Sequence, residues 1–344
     1  MNENELAYVL PKAFAIRGFL LPKDLLRKLT YITSLAGLVD SLKNTAYSHY
    51  VSTIQQVSGI TLERAFKQNL IDVEKKLIMH TTREIRDFLF SFFKRHELDN
   101  LKVAVKAKIL KIPAEEYVDR INFDVEAFLG NRVYFAELIA ATDIRGVRKS
   151  LAELGYEIDL DYMWSVGKEK PGFIDLLFDK IFYNDLVEGL SKLSERDRGI
   201  AEDTFSPRID RYNVMLLLRS RHMGISLKKA YDFLVLCEEC LPPEVLKRIS
   251  EAENVGTIHK ILCETKYSDW FRRVEKISTI AEVEKAFLKL HYERAERLFV
   301  GYPFNIGPLI GAILLKEREV NNLIAIAYGI EKGLPPRLVL PEII

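Results

Sequence analysis

The stretch Glu319-Val-Asn-Asn322-Leu-Ile-Ala-Ile-Ala-Tyr-Gly-Ile-Glu-Lys-Gly333-Leu-Pro335 recurs in altered form at two earlier places in the chain. The middle copy runs Asp210-Arg-Tyr-Asn213-Val-Met-Leu-Leu-Leu-Arg-Ser-Arg-His-Met-Gly224-Ile-Ser226, and the first runs Glu97-Leu-Asp-Asn100-Leu-Lys-Val-Ala-Val-Lys-Ala-Lys-Ile-Leu-Lys111-Ile-Pro113. Each copy has an acid, Asn three residues later, and then Leu or Val. Eleven residues after the Asn comes Lys111, Gly224 or Gly333, with Pro or Ser two further on. A second, weaker pattern pairs Leu42-Lys-Asn-Thr45-Ala-Tyr47 with Leu262-Cys-Glu-Thr265-Lys-Tyr267, and Leu151-Ala-Glu-Leu-Gly-Tyr156 keeps the Leu and the Tyr. Its leucines are 109 and 111 residues apart, and the asparagines 113 and 109. Two independent markers with one period near 110 residues identify an internal repeat.

The repeated segments read as helices. Leu98, Leu101, Val105 and Ile109 form an apolar stripe, as do Val320, Leu323, Ile324 and Ala327. Val214 to Leu218 is apolar all round, the mark of a helix buried on most sides. Gly224 and Gly333 suit the left-handed residue that follows a helix, and Pro113 and Pro335 cannot extend one. Ser206-Pro207 has the form of a helix start, and Gly307-Pro308 predicts another several turns before the third copy. The period places three helical repeats at 1–125, 126–242 and 243–344, the second ending at Pro242-Pro243. A unit this long can hold its own core, so a ring or funnel of three domains is expected rather than a rod. Short strand-like runs such as Arg337–Leu340 cannot carry a fold, and the predicted class is all-α.

Composition agrees. The 344 residues include only 17 glycines and 12 prolines, with 29% charged and 48% apolar residues, which favours a folded helical chain. Net charge is +1, and the totals show none of the basic excess of a nucleic-acid binder. Three cysteines are too few for a disulfide framework and suit a reducing compartment. The acidic start Met1-Asn-Glu-Asn-Glu-Leu6 is unlike a signal peptide, and apolar runs such as Leu309–Leu315 fall well short of the ~18 residues of a membrane span. A soluble, cytoplasmic protein is expected.

The candidate functional residues are the acid–Asn pairs, Glu97 with Asn100, Asp210 with Asn213, and Glu319 with Asn322. At this spacing each pair shares a helix face. One reading is structural, with carboxylate and amide fixing helix packing through bonds to nearby backbone. The other is that these faces line a shared cavity where a partner docks. Catalysis finds no support: no phosphate-binding loop, nucleophile elbow or dinucleotide glycine pattern is present, and the six histidines are scattered. Lys102, Lys106 and Lys108 follow the first Asn, and Arg219 and Arg221 the second. They read either as cations near a helix C-terminus or as a patch facing an acidic partner. Cys237-Glu-Glu-Cys240 with His259 and Cys263 offers four residues of zinc-ligand type, against which Cys237 continues an apolar run. A redox dithiol of thioredoxin type would need a βαβ context that the sequence lacks. A generic helical adaptor also fits the repeats, though not the specific C-terminal pattern.

That pattern, Tyr302-Pro-Phe…Lys316-Glu-Arg-Glu319-Val-Asn-Asn322-Leu…Gly333-Leu-Pro335, resembles the C subunit of archaeal A-type and bacterial A/V-type ATPases, whose eukaryotic counterpart is the d subunit of the vacuolar proton pump. Tyr328 stands where the family usually has a basic residue. The resemblance implies three similar helical domains around a pseudo-threefold axis, forming a funnel. It implies a non-catalytic rotor part with no cofactor, small-molecule substrate or nucleic-acid partner. Such a part sits peripherally on the cytoplasmic face of the proteolipid ring and receives the shaft built of the D and F subunits, in ATP synthesis or ATP-driven proton or sodium transport. The acid–Asn faces would then hold the shape of the shaft socket.

Overall fold

A computed structural model describes residues 3–220, 225–274 and 277–344. The described residues contain helices, turns and loops and no strand, as the all-α expectation requires. Among the described residues, seven helices have sixteen residues or more: α1 (Glu3–Gly18), α2 (Gly59–Ile78), α3 (Arg95–Leu110), α4 (Gly172–Ser191), α5 (Glu195–Ser220), α6 (Ile280–Arg297) and α7 (Gly307–Glu331). Two compact units result: Met1–Arg86 with Leu193–Arg208 and Ala281–Ile344, and Asp87–Lys192 with Ile209–Ile280.

In the first unit α7 packs against α2 and α1. Leu62, Phe66 and Leu70 of α2 meet Val320, Leu323, Ile326 and Ala327 of α7, and Leu38, Leu42 and Tyr47 complete this core. The period-3.6 spacing of these residues makes each helix one-sided, so burial of that side holds the pair together. Ser58 caps α2 in a reciprocal arrangement with Thr61. In the second unit α3 lies against α4. Phe92 meets Phe182 at 6.1 Å and Phe173 meets the edge of Phe233 at 5.6 Å between ring centres.

The three repeated helices end alike. The N–H groups of Ile112, Ile225 and Leu334 donate to the carbonyls of Ala107, Ser220 and Gly329 at 2.9 Å or less. This six-residue closure needs a left-handed residue just before the donor. Gly333 supplies it at φ +63°, and Lys111 adopts it at φ +56° despite its side chain. Gly224 lies outside the described residues. A short helix follows each closure, at Ala114–Tyr117, Leu227–Tyr231 and Pro336–Val339. The last of these covers most of the run read as strand-like.

Gly307-Pro308 does start α7, but Ser206-Pro207 starts nothing. Pro207 lies inside α5, which begins twelve residues earlier at Glu195. Proline in a helix removes one bond of the ladder, here that to the carbonyl of Asp203. A neighbour fills the gap: Nη1 of Arg294 in α6 donates to that oxygen, and Nδ1 of His291 lies 2.8 Å from the carbonyl of Thr204. The helix-start reading fails because these contacts from α6 satisfy what the proline leaves open.

Candidate functional site

Each repeated Asn grips one backbone residue 22 positions further on. Asn100 Oδ1 accepts from the N–H of Asn122 at 2.9 Å, and its Nδ2 donates to the same residue's carbonyl at 3.0 Å. Asn213 does this to Val235 at 2.9 and 2.7 Å, and Asn322 to Ile344 at 3.0 and 2.9 Å. A side-chain amide carries a donor and an acceptor, so it can pair both polar groups of a peptide chain as a neighbouring strand would. Asp lacks the donor and Leu lacks both. This explains why the chemistry at this position does not vary among the three copies.

The acid three residues before binds a tyrosine in each copy. Tyr156 donates to Glu97 at 2.6 Å, Tyr267 to Asp210 at 2.6 Å and Tyr47 to Glu319 at 2.7 Å. These are the tyrosines of the weaker repeated pattern. The first two follow their acid by 59 and 57 residues, whereas Tyr47 precedes Glu319 by 272. The bonded sets therefore cross the sequence positions 125 and 242. The second carboxylate oxygen is also occupied: Asn131 Nδ2 donates to Glu97 at 2.5 Å, the N–H of Leu241 to Asp210 at 2.8 Å, and the N–H of Leu21 to Glu319. None of the six acid and Asn residues is more than 4% exposed.

The copies differ in charge. Burial pushes the Glu97 carboxyl above its ordinary range, against the Tyr156 and Asn131 bonds that favour its charged form. Beside it, Glu126 is fully buried. Its Oε1 accepts from Asn100 Nδ2 at 2.7 Å and its Oε2 has no hydrogen-bond partner. Burial raises this carboxyl to about 8, the Asn100 bond opposing the shift and Glu97 adding to it. Glu319 instead has a buried cation, Lys316 Nζ, at 2.7 Å. Burial pulls that ammonium down from its ordinary range while Glu319 opposes the loss of its proton. Tyr47 and Tyr156 are pushed up, chiefly by burial and then by their carboxylates, so both hydroxyls stay donors. Chemically, the arrangement holds distant backbone points together through buried hydrogen bonds.

Of the basic residues, Lys102 bonds Asp179 at 2.7 Å and Asp99 at 3.0 Å, Lys106 pairs with Asp175, and Lys108 donates to the carbonyls of Ile139 and Ala141 at the end of helix Arg132–Ala140. Arg219 is exposed, and Arg221 lies outside the described residues. The four residues of zinc-ligand type do not come together. Cys237 and Cys240 form a disulfide, Cys263 is a free thiol, and His259 Nε2 lies 2.9 Å from the carbonyl of Phe271. Three cysteines thus yield one cross-link that the sequence reading did not expect.

Sequence reasoning also passed over Lys316 and Glu126 as site residues. Lys316 was visible three residues before Glu319, one helical turn away. Glu126 gives no such signal, because 26 residues separate it from Asn100.

No helix among the described residues is long and apolar enough to cross a membrane. The chain belongs to the ATP synthase (C/AC39) subunit family, which it matches over residues 10–340. It is similar to the A-type ATP synthase C subunit of Pyrococcus horikoshii, at 24% identity over 94% of this chain and 86% of that relative. The C subunit of Methanocaldococcus jannaschii is 25% identical over 88% of this chain and 77% of its own length, and that of Methanosarcina acetivorans 22% over 98% and 92%.

Proposed function

We propose that this chain is the non-catalytic central-stalk component of an A/V-type rotary ATPase, joining the shaft of D and F subunits to the proteolipid ring on the cytoplasmic face of the membrane. The observation that carries this reading is the family match across residues 10–340. The clamps suit the task. A part that transmits torque must deform little, and a close-packed helical core cross-tied between residues 22 to 272 positions apart resists shear. In this reading the chain consists of three modules of about 110 residues, divided near 125 and 242 in the sequence and arranged as a funnel. Glu97, Asn100, Asp210, Asn213, Glu319 and Asn322 shape the shaft socket from behind, by positioning its helices. Among the basic residues, Lys106 and Lys108 are engaged within the chain, and the exposed Arg219 is the one assigned in this reading to an acidic partner.

Affinity capture of the tagged chain from detergent-solubilised membranes is expected to bring down the D and F subunits and the ring protein. Capture of an unrelated soluble partner instead would replace this reading with that of an adaptor. Asn213→Leu or Asn322→Leu is expected to weaken capture of the D subunit while leaving the ATPase activity of the isolated head unchanged. Undiminished capture by Leu variants at all three Asn positions would remove the socket-shaping role.

A further inference from the structure

The second clamp contains a covalent element in a telling place. Asn213 holds Val235 through both backbone groups, and Asp210 holds the N–H of Leu241. Between these two fixed points lie five residues, Leu236 to Cys240, with no helix of their own. The Cys237–Cys240 disulfide closes this loop, and the N–H of Cys240 donates to the carbonyl of Cys237 at 3.2 Å. In the first copy the corresponding interval, Asn122 to Asn131, is a hydrogen-bonded helix, Phe123–Leu129, capped by Asn122 and closed by Gly130 at φ +80°. The second copy thus has a cross-link where the first has helical bonds. Cys237 is half-buried, Cys240 is buried, and Glu238 and Glu239 between them are exposed. Cys237 is therefore the more accessible of the two cross-linked residues.

We infer that Cys237–Cys240 is a reversible modification site, reduced by a dithiol, and that its oxidation state sets how firmly the second clamp holds its loop. A thiolate of the dithiol attacks Sγ of Cys237, forming a mixed disulfide, and Cys240 leaves as a thiolate that takes a proton from water. The second thiol of the reductant then attacks its own sulfur in the mixed disulfide, releasing Cys237 as a thiolate that is protonated in turn. Two electrons and two protons pass to the chain, and the reductant ends as a disulfide. Freed of the cross-link, Leu236 to Cys240 sample more conformations, and the Leu241 N–H spends more time away from Asp210. This inference rests on the loop and its anchors alone, so it stands or falls separately from the proposed place in a rotary complex.

The test is amide hydrogen exchange on the full chain, oxidised and then reduced with dithiothreitol, with N-ethylmaleimide labelling and peptide mass analysis to count free thiols. Reduction is expected to add two labelled thiols, at Cys237 and Cys240, and to speed exchange at Leu241 and Val235 by ~10-fold or more, with Asn122 and Ile344 unchanged. Reoxidation with oxidised glutathione is expected to restore protection. A Cys237→Ser/Cys240→Ser double variant should exchange at the fast rate under both conditions, and Cys263→Ser should respond like the parent. Equal protection of Leu241 in both redox states would overturn the inference. So would full labelling of Cys237 and Cys240 in chain equilibrated with oxidised glutathione.

Discussion

The first and third clamps have the same hydrogen-bond plan and opposite electrostatics. In both, an Asn pairs a backbone residue 22 positions on and a tyrosine donates to the acid one turn before it. Glu319 keeps a buried ammonium, Lys316, which also lies 4.1 Å from the Tyr47 ring centre. The matching position before Glu97 is Lys94, which is half-buried and favours the Glu97 charge, while Glu126 adds a second buried acid to the same site. In the middle copy that position is Pro207. The comparison separates what backbone geometry dictates from what it leaves free. A bond to a peptide group has one donor–acceptor pattern and tolerates one side chain, whereas a buried charge can be neutralised by a cation or by a proton.

The largest break in the comparison should come from Lys316→Met. It strands the Glu319 carboxylate in the interior, and breaking a buried pair in this way costs about 3–5 kcal/mol. The urea midpoint should fall accordingly, and most of the loss should return when Glu319→Gln is added. A single-variant loss below about 1 kcal/mol would show that the ammonium does not stabilise the third clamp.

An effect of similar size, spread over pH and specific to the first clamp, is expected from titration. Glu126 gives up its proton at about 8 in the folded chain, against an ordinary 4.5 when unfolded. Below 4.5 both states are protonated and nothing is lost. Between 4.5 and 8 only the folded state retains the proton, so stability falls by about 1.4 kcal/mol per pH unit, a few kcal/mol in all. Above 8 the loss is complete. Urea unfolding at pH 5, 6.5 and 8 should show this decline, and Glu126→Gln, which keeps an acceptor for Asn100, should flatten it. A parent slope unchanged by that substitution would assign the effect to other groups.

The smallest expected effect compares the two helix ends. Gly333→Ala places a Cβ on a left-handed residue and should cost about 1–2 kcal/mol. Lys111→Gly, at the matching position, should stabilise by up to about 1 kcal/mol. Thermal melts of the two variants shifting in the same direction would contradict the shared conformation.

The helices, their Schellman ends and the acid–Asn positions were legible because they depend on short spacings that sequence displays directly. The recurring tyrosines were legible as a pattern but not as partners of particular acids. A period fixes the interval between copies, not which copy's hydroxyl meets which carboxylate, and Tyr47 with Glu319 shows how far the answer can lie from the nearest neighbour in sequence. Pro207 misled because a helix-start signal is local, while its rescue by Arg294 and His291 comes from a helix some 85 residues away. Glu126 and the Cys237–Cys240 cross-link escaped for the same reason: each acquires meaning only once the loop that carries it has been folded back onto its Asn.

Pro207 has one more consequence. By leaving a carbonyl of α5 without its ladder N–H, it gives α6 an address: Arg294 and His291, one turn apart, fit the adjacent oxygens of Asp203 and Thr204. In the interior of a regular helix each backbone oxygen is taken by its own ladder, so side-chain packing alone sets the alignment of a neighbour. One missing rung makes the alignment unique, so an apparent flaw in α5 becomes the notch that indexes the helix beside it.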